Sequence, residues 1–196
     1  SFWPLAQVEW AQAASKTIVL SDALFADISG LESPARMGFI IELPAATAMQ
    51  PDAATVVLDR VQDAGNVGSI LRSASAFGFQ QVVALKGSAA LWSPKVLRAG
   101  MGAHFALDLI EAASLEDLES LQVPMLVTHV HEGDFLHRAQ LPWPCAWVLG
   151  HEGQGVAPAI EAQATARIRI AQPGGEESLN VAAAAAICLH ASASAR

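Results

Sequence analysis

The chain has 196 residues, of which 53% are hydrophobic, and its 19 acidic and 11 basic residues give a net charge of −8. This length is enough for one well-buried core, or for one domain plus a fragment. No apolar run approaches the roughly 20 residues of a membrane-spanning helix, and the acidic balance at first argues against a nucleic-acid partner.

The N-terminal residues, 1–50, differ in pattern from the rest. They begin SFWPLAQVEW, without the basic and apolar regions of a signal peptide. TIVLSDALFADISG and MGFIIELP predict a strand, a short helix and a second strand. The segment is too short for a core of its own, so we expect the remnant of an N-terminal domain. PAATAMQP predicts a linker to a second domain, residues 51–196.

From Thr55 onwards, strands and helices alternate. Strands are predicted at TVVLDRV, QVVALK, FALDLI, PMLVTHV, CAWVLG and ARIRIA. Helices are predicted at Asn66–Phe77, SPKVLRAGMGA, SLEDLESL and SLNVAAAAAICLHASA. The second has Ser93 as N-cap and Pro94 in its first position, and the third starts with a capping box. This alternation indicates an α/β fold, a parallel sheet with helices on both faces.

The basic residues are unevenly distributed along the acidic chain. Between Arg60 and Arg98 there are five basic residues and one acid, a local charge of +4. Such a region fits either ordinary surface charge or a face that holds an anionic backbone. The two cysteines lie in apolar runs without metal-ligand spacing, which predicts a reduced, cytoplasmic protein.

Two polar residues follow the first strand of the alternating region. Asn66 is a candidate N-cap, and Arg72 lies off the apolar stripe of its helix, near the carboxyl edge of the sheet. Arg72 is either a solvated helix arginine or one directed at an anion or a reacting hydroxyl. The turn lacks the glycine pattern of a dinucleotide site and the Gly-Lys-Ser/Thr of a Walker loop.

Two glycine loops follow later strands. The first, Gly150–Gly155, carries Glu152, whose carboxylate would repel a phosphate. It suits a ligand with a cationic end or with hydroxyl groups, and a solvated glutamate in an ordinary turn is the alternative. In the second loop Ser178 can cap the closing helix, with Asn180 in its first turn. The alanines of Ala182–Ala186 predict close packing against a neighbouring element or a partner subunit.

The histidines give no clear metal pattern. His129 and His131 point to one face of a strand, but spacing fixes no third ligand, so we expect no metal site. His151 lies in the first glycine loop, where the sequence suggests no role for it.

Three ordered blocks, LDRVQDAGNVGSILRSASAFGF, WVLGHEGQGV and RIRIAQPGGEESLNVAAAAAICL, resemble the SpoU/TrmH family of RNA 2′-O-ribose methyltransferases, within the SPOUT class. The spacer SPKVLRAGMGAHF is also similar, with Gly100 where a serine is common. The resemblance covers about residues 53–190. Residues 17–45 look like the end of the small ribosomal-protein-like RNA-binding domain that many members carry.

The resemblance implies a fold in which the C-terminal chain threads through a loop to form a deep trefoil knot, a rare exception to the rule that chains are unknotted. It implies that S-adenosylmethionine binds at the two glycine loops, and that the enzyme is a homodimer with the closing helix in its interface. The implied cofactor contacts are Leu149, Gly150, Ile170 and Leu179.

The resemblance also implies an in-line displacement that needs no metal. The implied catalytic residues are Arg72, Asn66, Glu152, Ser178 and Asn180, and the predicted RNA contacts are Arg60, Lys95 and Arg98. A guanidinium pKa above about 12 makes Arg72 an awkward base. Holding the RNA phosphate and stabilising a developing alkoxide is at least as good an interpretation.

The expected substrate is ribosomal RNA, most simply that of the large subunit, with transfer RNA as the alternative. A non-catalytic RNA-binding member is a second alternative, although every polar residue that the family uses is present. A dehydrogenase is disfavoured, because the G-x-G-x-x-G motif and its ribose-binding acid are absent.

Overall fold

The computed structural model describes residues 13–29, 37–45, 47–174 and 179–196. The chain divides into two compact units, Ser1–Pro44 and Ala45–Arg196. In the first unit the described residues form one helix, α1 (Asp22–Ser29), as predicted. The two strands predicted beside it are wrong, because residues 16–21 and 37–43 form no strand. Their apolar side chains stay exposed, and strands depend on pairing and burial.

The second unit is built on a seven-stranded sheet whose strand pairs are all parallel. Its strands are β1 (Thr55–Leu58), β2 (Gln81–Leu85), β3 (Asp108–Ala113), β4 (Met125–Thr128), β5 (Asp134–Phe135), β6 (Ala146–Leu149) and β7 (Ala166–Arg169). The order across the sheet is β3-β2-β1-β6-β4-β7-β5. The predicted parallel sheet is confirmed, with β5, an edge strand of two residues, as an addition too short to leave a pattern.

The helices of this unit are α2 (Ala64–Ala76), α3 (Pro94–Gly100), α4 (Pro158–Glu161) and α5 (Val181–Ser194), with 3₁₀ turns at Ala103–Ala106 and Glu116–Ser120. The hydroxyl of Ser93 accepts from the N–H of Val96, and Pro94 follows it, as predicted for α3. Ser114 and Asp117 exchange capping hydrogen bonds, which confirms the capping box, although the segment it opens is a 3₁₀ turn.

Two helix caps differ from the prediction. Asp63, not Asn66, caps α2: its carboxylate accepts from the N–H of Asn66 at 2.7 Å. Asn180 is the N-cap of α5 and not part of its first turn, since its side-chain oxygen accepts from the N–H groups of Ala182 and Ala183. The predicted cap, Ser178, lies outside the described residues. The side chain of Asn66 is therefore available for other contacts.

Both faces of the sheet are covered, as its apolar strands predict. Val56 and Leu58 pack with α2 and α5 residues on one face, while Val57 packs with Val148 and Ile160 on the other. From β1 the chain extends to β2 and β3 on one side, while β6 lies on the other. The carboxyl ends of β1 and β6 thus flank the switch point where parallel sheets form ligand sites.

The trefoil knot stays a prediction, because the loop around residues 175–178 lies outside the described residues. Within the parts that are described, no helix is long and apolar enough to cross a membrane.

Helices α2 and α3 touch at a glycine. A Cβ at Gly68 would lie 2.3 Å from the Cβ of Ala99 and 2.7 Å from the N of Gly100. Alanine favours a helix over glycine by up to about 1 kcal/mol, but overpacking against backbone costs about 1–3 kcal/mol.

We expect Gly68→Ala to lower the free energy of unfolding by about 2 kcal/mol, because neither helix can shift without disturbing the sheet beneath it. Urea denaturation followed by circular dichroism measures this. Gly174→Ala, where an added Cβ meets no atom of the described residues within 4 Å, is the matched control and should change stability by less than about 0.5 kcal/mol. Equal stabilities of the two variants would contradict the close helix contact.

Candidate functional site

The glycine loop after β6 is joined to the turn after β1 by the carboxylate of Glu152. Its two oxygens accept from the N–H of Asp63 at 3.2 Å, the N–H of Gln62 at 3.4 Å and the side-chain amide of Asn66 at 3.2 Å. Because a carboxylate accepts only, the Asn66 atom that faces it must be the amide nitrogen.

Asn66 carries this connection to the closing helix. Its amide oxygen accepts from the side-chain nitrogen of Asn180 at 3.0 Å, and Asn180 in turn caps α5. Residues from all three sequence blocks therefore meet in one directed chain of hydrogen bonds. It runs from the N–H groups of α5 through Asn180 and Asn66 to Glu152. We call these three side chains the polar relay.

The polar relay favours an ionised Glu152. Burial raises the pKa of this carboxyl, but hydrogen bonds from its own backbone, from the Asn66 amide and from the N–H groups of Asp63 and Gln62 outweigh burial and hold the pKa below its ordinary value. The negative charge is therefore part of the structure of the loop.

The glycine loop is closed by His151, for which the sequence suggested no role. Its ring Nδ1 accepts from the N–H of Gly153 at 2.9 Å and of Gln154 at 3.2 Å, and its backbone exchanges hydrogen bonds with Gly155. A Cβ at Gly150 would lie 2.2 Å from the backbone of Gly155 and Val156. Gly150 is thus required by the fold of the loop itself.

Asp59, at the end of β1, is a site residue that the sequence reasoning missed. Its buried carboxylate accepts from the guanidinium of Arg60 at 2.8 and 3.0 Å and from the N–H of Ala157 at 2.7 Å. It therefore fastens the chain beyond the glycine loop to β1. The sequence carries a pattern that could have predicted it, because an acidic residue directly follows a buried strand at the carboxyl edge of the sheet.

Arg60 is already engaged within the protein. Besides Asp59, its guanidinium donates to the side chain of Gln154 and, at 3.4 Å, to the carbonyl of Gly155. The hydrogen bond to Asp59 raises the pKa of Arg60, against burial, which lowers it. Its predicted role in RNA binding stays a prediction, and its observed contacts hold the glycine loop.

Arg72 lies on the exposed side of α2. It lines an open groove. The other lining residues are Ser69, Ser73 and Ala76 of α2, Phe77 directly after α2, and Ala182, Ala183 and Ala186 of α5. Its side chain makes no hydrogen bond or ion pair with the residues that the structure describes. Arg72 is thus near the α5 end of the polar relay but is not part of it.

The other predicted residues fall into three groups. Leu149 and Gly150 are buried at the end of β6, Ile170 is half-buried after β7, and Leu179 is 39% exposed directly before Asn180. Lys95 and Arg98 are exposed on α3, away from the polar relay in sequence. Ser178 lies outside the described residues.

The histidines after β4 serve the local turn. Nδ1 of His129 accepts from the N–H groups of His131 and Glu132, and its Nε2 lies 3.9 Å from Glu161. Among the residues placed in the structure, no group of three potential ligands could hold a metal ion.

A sequence model of the SpoU rRNA methylase family matches residues 53–190. Over 178 residues the chain is 29% identical to the 23S rRNA (guanosine(2553)-2′-O)-methyltransferase RlmP of Bacillus subtilis, covering 88% of this chain and 70% of that protein. It is 31% identical over 141 residues to the 23S rRNA (guanosine-2′-O-)-methyltransferase RlmB of Bordetella pertussis, covering 70% and 58%. The chain spans only 26% of a zebrafish mitochondrial rRNA methyltransferase 3B, at 35% identity and 53% of this chain.

Solved structures share the fold. A TrmH-family RNA methyltransferase from Porphyromonas gingivalis superposes with a TM-score of 0.79 at 32% identity, covering 93% of this chain and 78% of that one. An AdoMet-bound rRNA methyltransferase from Sinorhizobium meliloti superposes with a TM-score of 0.81 at 26% identity, covering 95% and 76%.

We expect Glu152→Gln to lower the free energy of unfolding by about 1 kcal/mol at pH 7, allowing for solvent screening at this exposed side chain. The amide would turn an N–H towards donors that need an acceptor. Because the pKa of Glu152 is lower in the folded state, the wild-type advantage is full above the ordinary carboxyl pKa. It is lost as the pH falls through the lowered pKa. Urea titrations of both proteins at a series of pH values measure this difference.

Glu119→Gln, which changes an exposed glutamate of a 3₁₀ turn, is the matched control and should show little difference from wild type at any pH. A Glu152→Gln difference that grows as the pH falls would contradict the assignment.

Proposed function

Since the chain belongs to the SpoU rRNA methylase family, we propose that it methylates a ribose 2′-hydroxyl of ribosomal RNA with S-adenosylmethionine as methyl donor. The observation that carries the proposal is the polar relay, which joins one residue from each of the three family-like blocks by hydrogen bonds of 3.0–3.2 Å. The same three residues are among those that the family resemblance implies for catalysis.

The cofactor site proposed here lies at the carboxyl ends of β6 and β7. The glycine loop approaches its own backbone at Gly150 more closely than a side chain permits, which leaves main-chain groups to form the site. Leu179 is partly exposed next to Asn180, and Asn180 is tied to the loop through Asn66. Apolar side chains and backbone, with an ionised Glu152 nearby, fit an uncharged base and a cationic sulfonium centre.

Bound at this site, S-adenosylmethionine would supply an activated methyl group, and S-adenosylhomocysteine would be the leaving group when the methyl passes to the ribose oxygen. The protein has to bring the 2′-oxygen into line and favour loss of its proton. Arg72 suits an anionic partner, because its exposed guanidinium has no protein acceptor among the described residues. We assign it to the RNA phosphate and to the negative charge that develops on the attacking oxygen.

Asn66 is proposed to position the substrate. The polar relay uses one N–H of its amide for Glu152 and its oxygen for Asn180, so that the amide is held in one orientation. The second N–H of the same nitrogen is left to donate to a ribose oxygen. Glu152 and Asn180 then act through Asn66, and Ser178 remains a predicted residue of the same site.

The RNA is assigned from the relatives. The RlmP and RlmB proteins are described as acting on guanosines of 23S rRNA. A solved structure that is 25% identical, with a TM-score of 0.65, concerns 2′-hydroxyl methylation of C/U34 on tRNA. Large-subunit rRNA is therefore the first substrate to test and tRNA the second. The N-terminal unit is proposed to be part of an RNA-binding domain.

A homodimer is proposed through α5. This helix carries no acidic, lysine or arginine residue, and it exposes Ala183 and 41% of Ile187. A small-residue surface of this kind lets a second helix approach closely, so a partner copy is the occupant that we assign to it.

We expect Arg72→Ala to lower the turnover of rRNA methylation by about 10²- to 10³-fold, with cofactor affinity unchanged, because the lost guanidinium stabilises charge that develops during the reaction. Transfer of tritiated methyl from S-adenosylmethionine to 23S rRNA from a strain lacking the enzyme measures turnover, and calorimetry measures cofactor binding. The position is exposed on a helix, where alanine is well tolerated.

Arg138→Ala, at an exposed arginine outside the site, is the control and should retain full turnover. If wild-type protein binds S-adenosylmethionine but methylates neither rRNA nor tRNA, the non-catalytic alternative is correct. A rate for Arg72→Ala near that of wild type would remove Arg72 from the mechanism.

We expect Ala183→Glu to weaken the dimer by at least tenfold, because it places an unpaired charge in the proposed interface. Ala159→Glu, the same exchange at an exposed position of α4, is the control and should leave association unchanged. Sedimentation velocity over a range of protein concentrations measures both variants. A monomeric wild-type protein would overturn the proposed dimer.

A further inference from the structure

Among the described residues of the second unit, the two most exposed large apolar side chains lie four positions apart in the chain, directly after α3 and in the 3₁₀ turn that follows it. Met101 is 74% exposed and Phe105 is 70% exposed. Burying either would stabilise the protein by roughly 1.5–3 kcal/mol, so their exposure has a cost that packing does not explain. We call Met101 and Phe105, with Lys95 and Arg98 of α3, the α3 platform.

The turn after α3 places Phe105 in this position. Left-handed backbone at Met101 and Gly102, with φ of 49° and 88°, ends α3 and starts the 3₁₀ turn Ala103–Ala106. Within that turn His104 is buried, and its Nε2 lies 2.8 Å from the carbonyl oxygen of Leu91. Phe105 leans edge-on against Trp92 at 6.3 Å, and Trp92 lies 5.2 Å from the His104 ring. An aromatic ring fixed in this way loses little conformational freedom on binding.

The charge of the platform points to its occupant. Residues 94–107 contain Lys95 and Arg98 but no acidic residue, in a chain of net charge −8. Both basic side chains are exposed, and neither bonds to another described residue. Positive charge beside an exposed aromatic ring is the combination that binds single-stranded nucleic acid, where bases stack and phosphates pair.

The helix of the platform packs against the helix that carries Arg72. Helices α2 and α3 touch where Gly68 meets Ala99, next to Arg98. Arg72 follows Gly68 by four residues and is therefore on the same side of α2. A strand bound at Arg72 can thus continue onto α3.

We propose that the α3 platform stacks an unpaired RNA base on Phe105 while Lys95 and Arg98 hold the neighbouring phosphates, so that the target ribose is presented from a single-stranded segment. This inference rests on the proposed function, for which it names the form of the RNA. Duplex RNA, whose bases are stacked on one another, would not gain from Phe105.

The test uses the full chain with two fluorescein-labelled probes, a 12-nucleotide oligouridine and a 12-base-pair RNA duplex. Phe105→Ala should weaken oligouridine binding about tenfold, leave duplex binding unchanged, and leave the slope of log Kd against log salt unchanged. Phe105→Trp should bind oligouridine as well as wild type. The Lys95→Ala/Arg98→Ala double variant should lower the size of the slope by about 0.7 per charge removed.

Two variants serve as controls: Val130→Ala, at another exposed apolar residue, and Lys86→Ala, at another exposed lysine. Both should bind oligouridine like wild type, and unchanged affinity for S-adenosylmethionine shows that each variant is folded. Three results would overturn the proposal. The wild type could fail to bind oligouridine, the Phe105→Ala variant could bind both probes as the wild type does, or that variant could lose affinity for both probes equally. A changed association state of Phe105→Ala in sedimentation would also overturn it, because the platform would then be a contact between copies of the chain.

Methyl transfer to 23S rRNA, measured separately, distinguishes this inference from the proposed function. If the wild type is active and Phe105→Ala binds oligouridine as the wild type does, only the platform is refuted. If the wild type is inactive and Phe105→Ala binds oligouridine tenfold more weakly, only the methyl transfer is refuted.

Discussion

The site depends on one physical requirement, that an ionised carboxylate in a glycine loop must receive hydrogen bonds. Glu152 receives them from the turn after β1 and from Asn66, whose orientation is then fixed by Asn180. These donors all lie in residues 62–66, and Asn180 donates in turn to Asn66, so that one charge aligns the loop after β6, the start of α2 and the start of α5. The direction of the hydrogen bonds leaves no freedom to flip either amide.

The requirement is met only because backbone segments come unusually close. At Gly150 the loop approaches its own backbone at Gly155 and Val156, and at Gly68 two helices touch, both at distances that exclude a Cβ. Asp59 then locks the far end of the loop by accepting from Arg60 and from the N–H of Ala157. The shape of the site is therefore set by main-chain contacts, by the buried carboxylate of Asp59 and by the hydrogen-bonded carboxylate of Glu152, while the exposed Arg72 is left free for a partner.

The sequence predicted the architecture better than it predicted the hydrogen bonds. Apolar runs and their alternation were enough for the parallel sheet and for α2, α3 and α5, because burial imposes a pattern on the residues of each element. Caps were less certain: Asp63 and Asn66 can both cap a helix, and only the three-dimensional position of Glu152 decides between them. In the N-terminal unit, apolar runs predicted strands that did not form, since a strand also needs a pairing partner.

One departure from the family-like pattern is explained by packing. At position 100 the resemblance favours serine, whereas this chain has glycine, and a Cβ there would lie 2.5 Å from Cε1 of the buried His104. The imidazole occupies the volume that a serine side chain would take, and its Nδ1 is left buried without a hydrogen-bond partner among the described residues. That orphaned nitrogen is a cost of about 1–3 kcal/mol. The cost is consistent with His104 anchoring the turn that fixes Phe105, so the two residues are best understood together.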